Sequence, residues 1–250
     1  MKKEFYAEYF QIEDKHWWFI GRREIFLRVL DKYFRKARGN GQRRVLDVGC
    51  GTGTMLRYLS RYGQSQGVDA DEGAIEFCHE RGITEVQHVE GMPLPFEDAS
   101  FDLVTALDVI EHIDDDRGTL GELYRITRPG GMLMISVPAY MFLWGAQDEI
   151  SHHKRRYVAP EIRERVTEAG YVIRRLSYFN TLLFPAIAGI RLIRPYKPGS
   201  TKLKSDFTMT KPGLGNTLLG RIFSLEAGMV ARANLPFGVS ILCVAQKPKS

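Results

Sequence analysis

The stretch Arg44-Val45-Leu46-Asp47-Val48-Gly49-Cys50-Gly51-Thr52-Gly53-Thr54 decides the fold. Val45, Leu46 and Val48 form the short apolar run of a strand buried in a parallel sheet. Three glycines follow at alternate positions, which allows a tight turn and lets a ligand approach bare backbone. Met55 to Tyr62 has helical spacing, so the glycines fall where a strand hands over to a helix N-terminus. Amides and the positive end of the helix dipole face whatever binds there. Asp47 adds a carboxylate at the strand's end, which repels a phosphate and attracts an ammonium.

Gln66-Gly67-Val68-Asp69 reads as a second strand ending in an acid. It falls about 20 residues after the glycines, where an Asp can accept hydrogen bonds from both ribose hydroxyls of a nucleoside. A dinucleotide fingerprint needs G-x-G-x-x-G, but the third glycine position is Thr54. On these residues the chain resembles the class I S-adenosylmethionine-dependent methyltransferases, near the type 11-like small-molecule enzymes. Further stretches strengthen the likeness: Glu90-Gly91-Met92-Pro93-Leu94-Pro95-Phe96, Ser100-Phe101-Asp102-Leu103-Val104, Ala106-Leu107-Asp108 and Arg128-Pro129-Gly130-Gly131.

The resemblance implies S-adenosylmethionine as cofactor, leaving S-adenosylhomocysteine. It implies cofactor contacts at Asp47, Gly49, Cys50, Gly51, Asp69, Ala70, Glu90, Gly91 and Met92, with Asp69 on the ribose and Glu90 beside the adenine. The Leu107 carbonyl and Asp108 would face the α-amino group, with Arg22 on the carboxylate. Glu90 stands where the family more often has Asp. DNA is excluded as acceptor: the Asn/Asp-Pro-Pro-aromatic motif of amino methylation is missing, and no cysteine follows a proline as cytosine C5 methylation requires.

Strand and helix alternate through the core, giving an α/β fold with a doubly wound, mostly parallel seven-stranded sheet of Rossmann-like type. Expected strands are Arg44–Val48, one ending at Asp69, Val86–Val89, Phe101–Leu107, Met132–Val137, Tyr171–Tyr178 and Val239–Gln246. Residues 1–42 form an N-terminal helical lid, with an amphipathic helix over Glu24–Arg38 and a turn at Gly39-Asn40-Gly41. The donor-binding core spans 43–180 and an apolar and basic helical insertion 181–236. Residues 237–250 carry the last strand. Some 60 residues between the last two strands far exceed a hairpin connection. The insertion, with Arg191, Arg194, Lys197, Lys202 and Lys204, suits a cap, a homodimer interface or a peripheral membrane contact.

At 250 residues, 44% hydrophobic and 26% charged, the chain reads as a soluble globular protein. Three scattered cysteines offer no disulfide framework. With no leader or spanning segment, the expected location is cytoplasmic, or peripheral at the inner face of the membrane. Residues 1–150 carry 18 Lys+Arg against 25 Asp+Glu, and residues 151–250 carry 17 against 5. That basic C-terminal part keeps an RNA methyltransferase among the readings, although no RNA-binding module is recognisable.

Acceptor chemistry centres on two stretches. Glu111-His112 follows the fourth strand, and Asp148-Glu149-Ile150-Ser151-His152-His153-Lys154-Arg155-Arg156-Tyr157 follows the fifth. His153, then His112, are the candidate general bases. Trp18, Glu111, His152, Arg156 and Tyr157 are candidate substrate contacts. The same loop also suits simple pairing with the acidic half. No cysteine or regularly spaced histidine completes a zinc set, so no metal is expected. The reading is O- or N-methylation of a small acceptor, hydrophobic or phosphate-bearing. A non-catalytic donor-binding protein and a dehydrogenase are the alternatives.

Overall fold

The computed structural model describes residues 3–34, 43–193, 196 and 213–249. The expected turn at Gly39-Asn40-Gly41 and the cations Arg194, Lys197, Lys202 and Lys204 lie outside the described residues.

Seven strands form one sheet in the order β3-β2-β1-β4-β5-β7-β6. They are β1 (Arg44–Val48), β2 (Gln64–Asp69), β3 (Val86–His88), β4 (Phe101–Leu107), β5 (Thr127–Pro138), β6 (Val172–Phe179) and β7 (Ser240–Gln246). All pairings are parallel except those of β7, which runs antiparallel to β5 and β6. Strand order reverses between β1 and β4, and open α/β sheets leave a crevice at the carboxyl ends there. In register, Val48 lies beside Val68 on one side and Ala106 on the other.

Around the sheet lie α1 (Lys3–Ile12), α2 (Trp17–Tyr33), α3 (Thr54–Leu59), α4 (Glu72–Glu80), α5 (Asp116–Ile126), α6 (Ala146–Ile150), α7 (Ala159–Glu168), α8 (Phe184–Ile193) and α9 (Leu214–Arg232). Side chains alternate across the strands, so consecutive residues enter different cores. Leu133, Ile135, Ile241 and Cys243 join Leu120, Leu123, Ile162 and Val166 of α5 and α7. Met132, Met134, Leu242 and Val244 join Ile25, Phe26, Val29 and Leu30 of α2 and Phe223, Ala227 and Val230 of α9. Both faces are covered, which is why the strands read as apolar runs.

Two elements depart from the sequence expectation. β5 begins at Thr127, not Met132, and its pairing with β4 slips between Phe101 and Leu103. The Arg128-Pro129-Gly130-Gly131 segment therefore lies inside a bulged strand, where Pro129 has no N–H to add to the ladder. α2 starts at Trp17, seven residues before Glu24. Its cap is His16, whose Nδ1 accepts from the Trp18 amide at 3.3 Å. Histidine is outside the usual Ser/Thr/Asp/Asn signals, so the start was hidden.

Candidate active site

A cavity of about 920 Å³ occupies the crevice, walled by the ends of β1, β2 and β4, by α1 and α2, and by the loop after α6. The glycine loop folds back on β2, with the Gly49 and Cys50 amides donating to the Val68 carbonyl at 2.8 and 3.0 Å. Gly51 has φ +55°, and no heavy atom lies within 4 Å of where a Cβ would stand. A side chain there would be strained and would project into this space.

The Gly51 amide donates to Asp69 Oδ2 at 2.8 Å and the Asp71 amide to Oδ1 at 3.0 Å. Each oxygen has further acceptor capacity, so a vicinal diol can still be gripped by both. Burial raises the Asp69 pKa despite those two amides. Asp47 is also buried, and its Oδ1 accepts from Thr105 Oγ1 at 2.5 Å. Burial pushes it up to about 7, against the Thr105 hydrogen bond. Arg22 reaches in from α2 and pairs with Asp108 Oδ2, while Ser136 Oγ donates to Asp108 Oδ1 at 2.8 Å.

Beyond Asp108 the wall changes character. Glu111 has no exposed surface, and burial, then the Asp108 charge, raises its pKa well above normal. His112 is driven down to about 4 by burial and by its neighbour His153, so its ring is neutral near pH 7. The two rings meet edge to face with centroids 4.7 Å apart. His153 Nδ1 lies 2.8 Å from Asp148 Oδ1, and Arg156 clasps the same carboxylate through Nε and Nη2, both at 2.8 Å. Burial alone would raise Asp148, but those bonds overcome it and hold it at about 2.

The cavity wall includes Arg22, Asp47, Gly49, Cys50, Gly51, Asp69, Ala70, Gly91, Met92, Leu107 and Asp108 of the expected donor residues. It also includes Trp18, Glu111, His112, His153 and Arg156 from the acceptor side. Three expected residues stand away from it. The Glu90 side chain is 83% exposed, beside His88. His152 is exposed at φ +55°, where the loop turns outward. Tyr157 is buried in the core, its hydroxyl donating to Asp116 Oδ2 at 2.9 Å.

The basic loop is also less available to an anion than its composition implied. Lys154 pairs with Asp114, Arg155 with Asp116 at 3.1 Å, and Arg156 with Asp148. Sequence reasoning missed Tyr6, Tyr9 and Glu13 of the N-terminal segment, all lining the cavity. It also missed Asp148 as the partner of His153, five residues away in the quoted stretch.

A family model described as methyltransferase domain matches residues 46–135, the stretch from the glycine loop through β5. Over that stretch the chain resembles the class I S-adenosylmethionine-dependent methyltransferases. A probable S-adenosylmethionine-dependent methyltransferase of Mycolicibacterium smegmatis is 29% identical over 166 residues, 65% of this chain and 62% of that protein. The ubiquinone biosynthesis O-methyltransferase of Pseudomonas aeruginosa is 29% identical over 161 residues, 54% of this chain and 67% of the other. Thus under two thirds of the mycobacterial relative's length is spanned. The S-adenosylmethionine-dependent methyltransferase of Thermotoga maritima superposes with TM-score 0.57 at 18% identity, covering 98% and 97% of the chains. That likeness is one of fold.

Proposed function

We propose that this methyltransferase moves the methyl group of S-adenosylmethionine to a hydroxyl oxygen of a small, uncharged acceptor with an apolar body. One observation carries the reading: one cavity is lined both by Asp69 and Gly51, suited to gripping a nucleoside, and by a cluster of the buried Glu111 with the half-buried His112 and His153. Asp69 takes the ribose hydroxyls, Asp47 and Asp108 the cationic amino end, and Arg22 the carboxylate. Methyl transfer needs chiefly in-line placement and exclusion of water, because the sulfonium is already a good leaving group.

A hydroxyl nucleophile also needs its proton removed. His153 is oriented for this, since Asp148 fixes its Nδ1 and leaves Nε2 toward the cavity. Trp18 and Phe19 in the wall favour an apolar body, and the loop cations are already matched by carboxylates, which argues against a phosphate-bearing acceptor.

Calorimetry on ligand-stripped protein should give one site for S-adenosylhomocysteine, weakened tenfold or more by Asp69→Asn. Incubation with methyl-labelled donor and a library of hydroxylated aromatics and alcohols should then yield labelled ethers. Heat with NADH but not with S-adenosylhomocysteine would overturn the donor assignment. Label found only on amine nitrogen would overturn the acceptor class.

A further inference from the structure

Glu111 is unexplained by donor binding. It is wholly buried, and neither carboxylate oxygen has a hydrogen-bond partner. A carboxylate in that state is costly unless something cationic or protic enters beside it. Its surroundings identify the visitor. His153 Nε2 lies 3.9 Å from Glu111 Oε1, and one ligand atom each from Glu111, His112 and His153 all fall within 4.8 Å of one another.

His153 is also held from behind: Asp148 takes its Nδ1 and is itself fixed by Arg156. A histidine whose far nitrogen is anchored by a carboxylate or carbonyl presents its near nitrogen as a lone pair, the usual second layer of a metal site. Chain spacing hid the set, because Glu111-His112 and His153 come from loops 41 residues apart that only the fold unites.

We propose that Glu111, His112 and His153 bind a divalent first-row metal ion, zinc in preference, whose open positions receive the acceptor's oxygen. Two imidazoles and one carboxylate suit zinc and leave a coordination place for substrate. Ligands around zinc at 2.0–2.1 Å stand roughly 3.4 Å apart, so binding closes the Glu111–His153 pair by about half an ångström. The proposal rests on the methyl-transfer reading and deepens it. The metal-bound hydroxyl gives its proton to water, its oxygen bonds to the methyl carbon, and the carbon–sulfur bond breaks with its electrons left on sulfur. His153 then acts as ligand, and the ion replaces it as activator of the acceptor.

The test uses full-length protein stripped with chelator and titrated with Zn²⁺, then with Co²⁺ for its visible absorption. One equivalent of Zn²⁺ should bind, raise the melting temperature and compete with Co²⁺ whose visible bands report low coordination number. His153→Ala and Glu111→Gln should each weaken Zn²⁺ at least tenfold. Metal-free Glu111→Gln should melt in one cooperative transition, which shows that the variant folds. Asp148→Asn, a positioning change, should weaken Zn²⁺ less than loss of a ligand. Zn²⁺ binding equal in wild type and in the His112→Ala/His153→Ala double variant would overturn the site, as would no binding at all. S-adenosylhomocysteine should bind stripped protein undiminished, so failure there separately sinks the methyl-transfer reading.

Discussion

At the residue scale, Asp47 offers the sharpest pH prediction. Its folded pKa, about 7, lies above the value near 3.9 of an unfolded chain. Stability from the protonated form is therefore full below about pH 4 and lost as pH rises through 7. The empty protein should lose thermal stability across that window, and Asp47→Asn should flatten the loss. Donor binding reverses the sign, because a cationic amino group beside Asp47 favours the carboxylate. Affinity for S-adenosylhomocysteine should climb between pH 5 and 7, with proton release seen as buffer-dependent heat at pH 6. Asp47→Asn should abolish that slope and cost roughly tenfold or more in affinity at pH 8, the scale of a charged hydrogen bond. The placement of Asp47, the glycines and Asp69 in the crevice was legible because it follows from a contiguous strand-turn-helix. The Glu111–His153 approach was not, since it depends on two loops meeting across the sheet's edge. The burial of Tyr157 was not legible for the converse reason: its partner, Asp116, is a helix residue whose orientation no local pattern reveals.

At the element scale, the α1–α2 connection latches onto the donor loop. Glu13 accepts from Thr54 Oγ1 at 2.5 Å, from Thr52 Oγ1 and from Arg81 Nη2 at 3.3 Å. Asp14 adds Arg57 at 2.8 Å and Arg81 at 3.2 Å. Thr52 and Thr54 belong to the glycine stretch, so the α1–α2 connection is tied to the segment proposed to meet the donor. Glu13→Ala should release it. Amide exchange over residues 6–12 should quicken, and S-adenosylhomocysteine should dissociate several-fold faster. The melting temperature of the empty protein should fall as well, because Glu13 is largely buried and its loss leaves Arg81, Thr52 and Thr54 without that partner. Unchanged exchange in α1 would show that the aromatic contact of Phe10 with Phe77, at 5.0 Å, holds the lid without Glu13. Strand positions were readable from period and punctuation, β4 to the residue. The start of helix α2, ahead of its apolar spacing, was not legible because its cap, His16, is outside the usual capping residues.

At the scale of the whole molecule, the insertion is structural as well as peripheral. Phe223 of α9 lies over Gly21 of α2, where a Cβ would come within 2.3 Å of its ring. The same ring packs 5.4 Å from Trp18 and is stacked 6.3 Å from Phe179 of β6. Glu226 of α9 accepts from the Thr181 and Leu182 amides at 2.9 and 2.7 Å. Arg175 of β6 donates to the Ala231 and Arg232 carbonyls at the helix's far end, at 3.2 and 3.3 Å. Lid, sheet and insertion thus share one core, and should melt in one calorimetric transition. Gly21→Ala should cost about 1–3 kcal/mol, the range for an overpacked contact, and lower the melting temperature by roughly 2–4 °C per kcal/mol at this chain length. Replacing residues 181–236 by a short hairpin turn would strip Phe223, Ala227 and Val230 from the face shared by β4, β5 and β7. The shortened chain should then be insoluble or lack a cooperative transition, whereas a removable cap would leave a folded, donor-binding core. A soluble variant that melts sharply and still binds S-adenosylhomocysteine would show that α2 alone can close that face.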